Sequence, residues 1–417
     1  MRKTQLLLAL AAIGFASSAF ATNGYFAHGF GMSSKGMGGA GIAFPQDTLA
    51  AATNPAGMVH VGNRMDIGLE IFAPDRGFSL GTPVGTSPGS FPPAASYDGN
   101  GSGGMESWFP IPEFGYNRMI NNNMSVGVSV FGNGGMNTTY ADGDHPFAQG
   151  SGATVGIDLM QIFISPTIAY KVNSQLSVGA SLNLIAAAFE SKGLDTSFGV
   201  ASNGKDYSYG AGVRVGAMYQ VNNAFTFGAT YQSKSNMSKF DDYALMFPNS
   251  GEFDIPANYG VGIAFKANDK LDIAFDVTRI EYAEVDATGN APDLALFGAN
   301  AHGFGWNNQT IYKLGLAYKY SGDLTLRAGF NYGKNPIELS PTNASFNFNT
   351  LAPGIVEKHL TLGFTKNLSA DTAVTGYYMH AFNKKADGMF GFDATNAASG
   401  TLEMSQNAFG LSYNKKY

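Results

Sequence analysis

About 14 stretches of this chain alternate apolar and small or polar residues, and the links between them alternate between very short and long. The stretches are Met65 to Phe72, Ile111 to Met119, Met124 to Phe131, Asp158 to Tyr170, Leu176 to Ala188, Tyr207 to Tyr219 and Phe225 to Tyr231. They continue with Tyr259 to Phe265, Leu271 to Val277, Tyr312 to Tyr320, Leu324 to Tyr332, His359 to Thr365, Thr372 to Phe382 and Ala408 to Tyr417. A two-residue period places alternate side chains on opposite faces of a strand, and a tilted membrane-crossing strand needs roughly 9 to 11 residues. After even-numbered stretches the link is turn-like: Asn121-Asn122-Asn123, Asn173-Ser174, Asn222-Asn223, Asn268-Asp269, Ser321-Gly322-Asp323 and Asn367-Leu368-Ser369. These residues tolerate the left-handed backbone of tight hairpins. After odd-numbered stretches it is long, as in Pro74 to Trp108, Gly134 to Ile157, Ser235 to Phe253, Glu281 to Asn307 and Lys334 to Glu357. Sorting of short turns to one end and long loops to the other, with an even strand number, predicts an all-β fold. It is a transmembrane 14-stranded antiparallel β-barrel, with both termini at the periplasmic end.

Composition agrees. Charged residues make up 13% of the chain, about half the roughly 25% of soluble domains, and there are 54 glycines, 32 phenylalanines and 20 tyrosines. Tyr207, Tyr219, Tyr231, Tyr312, Tyr320 and Tyr332 fall near strand ends, where interfacial girdles lie. The chain has no cysteine and thus no disulfides, and it lacks the clustered Lys and Arg that nucleic acid would need. Residues 1–21 read as a signal peptide. Arg2 and Lys3 precede an apolar run from Leu6 to Phe15, and Ala19-Phe20-Ala21 is a small-x-small cleavage pattern. The expected destination is the outer membrane.

The inward faces carry many small residues, among them Gly210, Gly212, Gly216, Gly260, Gly262, Gly315 and Gly329, with scattered charges. Such side chains do not fill a wide barrel, so the lumen holds water or a plug. Residues 22–62 supply a candidate plug, a hatch ahead of the barrel at 63–417. The stretch Asn23 to Met58 has too few large side chains to fold alone, because the area it could bury would not offset its conformational entropy.

The leader ending in Asn54-Pro55-Ala56, the glycine runs Gly29 to Gly31 and Gly36 to Gly41, and Gly303-Phe304-Gly305-Trp306 resemble the FadL/TodX (OmpP1) family of outer-membrane transporters for long-chain fatty acids and aromatic hydrocarbons. The resemblance spans the mature chain. It implies a barrel with an N-terminal hatch, capture of substrate by apolar extracellular loops, passage beside the hatch, and sideways release at a kinked third strand. The compact links Ser191 to Asp206 and Ser235 to Phe253 depart from fatty-acid transporters with longer loops, so the resemblance leaves open whether the substrate is a fatty acid or an aromatic or aliphatic hydrocarbon.

Candidate site residues follow. Asn54, Pro55 and Ala56 are the hatch anchor: Asn54 can hydrogen-bond backbone, Pro55 fixes its own angle, and Ala56 permits close approach. Phe26, Phe30, Ile42 and Phe44 are the apolar contacts for a ligand on the hatch side. Met237, Phe240, Tyr243, Leu245, Met246 and Phe247, with Leu294, Leu296 and Phe297, read as an exposed apolar capture surface on the loops. Gly132, Asn133, Gly134 and Gly135 read as the kink that opens the wall, since glycine in a strand marks a bulge.

A passive transporter is expected to need no cofactor, metal or enzyme chemistry. Its partners are the hydrophobic substrate, outer-membrane lipid and, during biogenesis, the barrel-assembly machinery, with no nucleic acid and a monomeric barrel. The alternatives are a general diffusion porin and an outer-membrane phospholipase. The six histidines are scattered, and no G-x-S-x-G elbow is present for the phospholipase. A porin would carry charge rings around a constriction.

Overall fold

The computed structural model describes residues 22–417 except 85–93, 103–105, 142, 149–150, 196–198, 200–201, 293–302, 340–343 and 394–395. Fourteen strands form a closed antiparallel ring: β1 Arg64–Val84, β2 Phe109–Asn121, β3 Met124–Tyr140, β4 Val155–Lys171, β5 Leu176–Lys192, β6 Asp206–Gln220, β7 Phe225–Gln232, β8 Asn258–Lys266, β9 Leu271–Ile280, β10 Gln309–Lys319, β11 Leu324–Gly333, β12 Lys358–Asn367, β13 Thr372–Asp393 and β14 Asn396–Lys416. Pairing of β1 with β14, from Arg64 opposite Lys416 onward, closes it. Short strands at Ala95–Asp98 and Asn236–Met237 add to β1 and β6 at the long-loop end.

Three successive short turns share one device. The Asn173 side chain accepts from the backbone N–H of Gln175 and Leu176, both at 2.8 Å, and Asn222 and Asn268 do the same in the next two turns. That local bond fixes the reversal without a glycine.

Along β14 the outward residues change character. Phe409, Leu411 and Tyr413 are exposed, whereas Thr401, Glu403, Ser405 and Asn407 above them are polar. The apolar part is the membrane belt, and the polar part stands clear of it. This corrects the sequence boundaries: β1 continues through Pro74 to Val84, β13 to Asp393, and β14 begins at Asn396. Apolar alternation stops at the membrane edge while the hydrogen-bond ladder does not, so hydrophobic pattern alone truncates these strands.

Thr22 to Ala43 and Ala50 to Val59 lie inside the ring and are almost wholly buried. Wall glycines make room for them. A methyl at Gly216 would lie 2.0 Å from Asn54 Oδ1, and one at Gly329 would lie 2.1 Å from the Gly38 nitrogen.

Candidate functional site

The leader begins with a backbone patch on β3. In the ladder between β3 and β4 the register slips between Gly132 and Gly134, so Asn133 is an extra residue that bends β3. On its other side β3 pairs with β2 only from Asn121–Met124 to Phe114–Val130. Beyond that point β2 stays with β1, through Phe109 opposite Phe72. Pro110 and Pro112 explain the parting. The bonds of β2 to β1 must come from Phe109, Ile111 and Glu113, so the two prolines face β3, where each lacks the N–H a ladder needs.

The free edge of β3 is satisfied piecewise. Ala27 N donates to Asn133 O at 2.8 Å, and Gly135 N donates to Tyr25 O at 3.1 Å. Residues 25–27 thus stand where a partner strand is missing. A methyl on Gly134 would lie 1.9 Å from Tyr25 O, so only glycine admits this approach. Gly132, Asn133, Gly134 and Gly135 therefore all lie at one break in the wall.

The other end of the leader is held by Asn54. Its Nδ2 donates to Ile42 O at 2.8 Å and to Ala217 O of β6 at 3.1 Å, while its Oδ1 accepts from Ala56 N at 3.1 Å and caps the turn Pro55–Gly57. Pro55 and Ala56 rest on Gly179 of β5. Between the two ends, Lys35 is buried and paired with Glu70 of β1 and, at 3.1 Å, with Glu113 of β2. Asp276 of β9 accepts from Gly41 N at 2.7 Å and Ile42 N at 3.0 Å.

A cavity of about 50 Å³ lies between leader and wall, lined by Phe26, Phe30, Ile42, Ile280 and Ile311 together with Arg214 and Lys313. It has room for a few waters, far below the roughly 300 Å³ of a ligand site, so a substrate must displace side chains to enter. Phe44 lies elsewhere, packed against the cluster of Met37, Ala40, Ala274 and Ala317.

Among the described residues Arg214 donates only to neutral oxygens: Thr53 O at 3.2 Å, Thr230 Oγ1 at 3.5 Å, Asn258 Oδ1 at 3.4 Å and Gln232 Oε1. Its Nε has no partner. Lys313 stands opposite Asp276 in register, but the Asp276 Oδ2 is engaged by the leader, and Lys313 makes no ion pair among the described residues. The two cations were visible in the sequence as inward charges among glycines, but they sit on separate strands and spacing alone could not join them. The same holds for Pro110 and Pro112, whose alternate spacing was the available signal for the parted seam.

The loop residues call for a correction. Met237, Phe240, Tyr243, Met246 and Phe247 are buried, and only Leu245 is exposed, at 47%. Phe240, Tyr243 and Phe247 pack around Phe189 with ring centroids 4.8 to 5.7 Å apart, which removes them from the surface. Leu294, Leu296 and Phe297 lie outside the described residues. The loop core continues onto the leader: Tyr25 packs on Tyr282 at 5.4 Å and Trp306 at 6.1 Å, and the Tyr282 hydroxyl donates to Asn23 O. Among the described residues one Ser and His contact occurs, His60 Nε2 to Ser177 Oγ at 3.0 Å, and it has no orienting carboxylate there.

A family model described as outer membrane protein transport protein (OMPP1/FadL/TodX) matches residues 8–417. No curated protein is detectably similar in sequence. Among solved structures, the P. putida toluene transporter TodX superposes with a TM-score of 0.68 at 20% identity, covering 94% of this chain and 99% of that one. A Pseudomonas aeruginosa FadL homologue gives 0.68 at 16%, and the Ralstonia pickettii toluene transporter TbuX 0.65 at 18%, with the same 94% and 99% coverage. At these identities the likeness shows the fold.

Proposed function

Because the chain belongs to the OMPP1/FadL/TodX family of outer-membrane transport proteins, we propose that it takes up long apolar molecules carrying one acidic group, of the fatty-acid type, and releases them sideways through the parted β2–β3 seam. The observation that carries the substrate class is the placement of Arg214 and Lys313, without acidic partners in ion-pair contact, against the apolar side chains of the lumen cavity. Among the described residues Arg214 is buried with no carboxylate in contact, which is costly, and half-buried Lys313 has only Asp276 nearby, which the leader already engages; a substrate carboxylate would supply the missing counter-charge. A bare hydrocarbon would leave both cations as they are.

In this reading residues 22–62 are a hatch, the long-loop end is extracellular, and the short-turn end with both termini is periplasmic. The loop core around Tyr282 and Trp306 couples capture to the leader, since Tyr25 belongs to both. A substrate entering beside Phe26 and Phe30 displaces residues 25–27 from β3. That breaks two backbone bonds worth about 0.5 to 1.5 kcal/mol each, net. Each methylene buried gains about 0.8 kcal/mol, so roughly four suffice to offset the loss without an energy source. The Asn54 anchor stays in place. Transport is passive, and side chains of the leader in the lumen favour this reading over a diffusion porin.

Binding of palmitate and of hexadecane to the purified protein tests the substrate class. Palmitate is expected to bind more tightly, and Arg214→Gln with Lys313→Met to weaken it by about 10-fold or more, as loss of charge-assisted bonds predicts, with hexadecane unchanged. Equal losses for both ligands would exclude a carboxylate site.

A further inference from the structure

The break in the wall has a fixed upper edge. On the side of β3 that faces β2, the backbone of Asn133 and Gly135 is bonded to the leader, as described. The next two residues of the same parity are bonded differently. Asn137 O accepts from Arg76 Nε at 2.9 Å, and Asn137 Oδ1 accepts from Arg76 Nη2. Thr139 N donates to Gly99 O, and Gly101 N donates to Thr139 O, each at 2.8 Å. The free edge is thus shared among a leader, an arginine and a link.

Arg76 reaches across the seam from β1. Beyond Asn137, its Nη1 donates to Asn100 Oδ1 at 2.9 Å and Pro74 O at 3.3 Å, and its Nη2 to Glu106 O at 2.9 Å. Its guanidinium lies 5.7 Å over the ring of Phe109, the first residue of β2, and the residue is 2% exposed. One side chain therefore joins β1, β2, β3 and the β1–β2 link at the height where the seam would otherwise continue to open. A lysine could not do this, because the span uses the planar fork of donors in three directions.

We propose that Arg76 is a positioning residue that sets the upper limit of the lateral opening, so that departure of residues 25–27 exposes the stretch from Val130 to Asn137 and no more. The inference rests on the sideways-release reading above. Seven residue steps along β3, one of them taken up by the bulge at Asn133, make an aperture roughly 20 Å long, at about 3.3 Å per residue. That length passes an extended chain and holds the loop core above it together. Without Arg76 the edge at Asn137 loses its partner and the opening extends up to Thr139, which the link still holds through Gly99 and Gly101.

Competition uptake into cells or proteoliposomes provides the test, with palmitate as the slim substrate and a pyrene-labelled fatty acid as the bulky one. Arg76→Gln and Arg76→Lys are both expected to raise the ratio of bulky to slim uptake several-fold, with faster amide exchange confined to residues 135–139. The heat-modifiable mobility of the folded barrel should be unchanged. A purely structural arginine would alter melting without moving that ratio, and an unchanged ratio in both variants overturns the proposal.

A second pair of measurements separates this from failure of the underlying reading. Pro112 and Gly132 would be opposed two steps beyond the last pair, Phe114–Val130, if β2 and β3 continued their ladder. Bridging Pro112→Cys and Gly132→Cys with a short dithiol-reactive linker is expected to stop uptake of both substrates. If the bridged protein still takes up palmitate, sideways release itself is wrong. If bridging stops uptake and the Arg76 variants keep the wild-type ratio, only the role of Arg76 is wrong.

Discussion

The seam between β5 and β6 and the seam between β2 and β3 begin alike at the short-turn end and end differently. The first runs without a slip from Leu176–Tyr219 to Phe189–Asp206. The second stops at Phe114–Val130, well short of the ends of its strands. Both carry small inward residues, so lumen packing is not the cause. The difference lies in donors: β5 and β6 contain no proline, whereas β2 presents Pro110 and Pro112 toward β3, and β3 inserts Asn133. Closure of a barrel is thus decided by the backbone of a few residues, and the wall opens where N–H groups are withheld.

The sharpest way to break this contrast is to restore the donors. Pro110→Thr with Pro112→Thr should let β2 and β3 pair further, slow amide exchange at residues 133–137, and lower uptake by about 10-fold or more while the barrel stays folded. Unchanged uptake would separate the seam from transport. Removing residues 22–27 attacks the other half of the contrast, because Asn133 O and Gly135 N then lose their partners. The expected outcome is a several-fold rise in ion conductance in planar bilayers, and no rise would place the conduction barrier elsewhere in the leader.

A smaller effect is expected from Asn54→Ala. It removes the bonds to Ile42 O and Ala217 O, a loss of about 1 to 3 kcal/mol, borne by the leader rather than the strands. Uptake should fall several-fold with barrel melting unmoved, and a matching drop in melting temperature would mean the leader and wall are one cooperative unit. The mildest perturbation is pH, acting on the loops above the open seam. His145 Nδ1 accepts from Phe147 N at 3.1 Å, so the other ring nitrogen carries the proton toward Thr350 Oγ1 at 3.0 Å. Burial lowers its pKa from 6.5 to about 3. Opened loops bind the proton more readily than closed ones across that range, so the stabilisation present above pH 6.5 is lost as pH falls toward 3. Protection of the Phe147 amide, its exchange measured against the intrinsic rate at each pH, should fall over that window, and His145→Gln should remove the dependence.

Much of the architecture was legible because a barrel's period and its sorting of turns are local properties. The 14 strands come from such patterns and the Asn turns could be read residue by residue, whereas the family came from the leader and glycine motifs, and the kinked third strand from the resemblance together with the glycines after Val130. The extent of β1, β13 and β14 was not, since their outer parts carry polar residues outward and lose the hydrophobic signal. Exposure of the loops was also misread: Phe240 and Tyr243 look like surface until Phe189, some fifty residues away, is brought against them. Arg214, Lys313 and Arg76 were unreadable as partners for the same reason. Each meets its neighbours through strand register, which a single sequence carries only weakly.

The central claim is that residues 25–27 must leave β3 for substrate to exit through the wall. It is tested most directly by tying them there, with Ala27→Cys and Asn133→Cys, whose backbones are already joined by a 2.8 Å bond. With the disulfide formed, palmitate uptake should stop while palmitate binding and barrel folding persist, and reduction should restore uptake. Uptake at the wild-type rate with the disulfide intact would contradict the account.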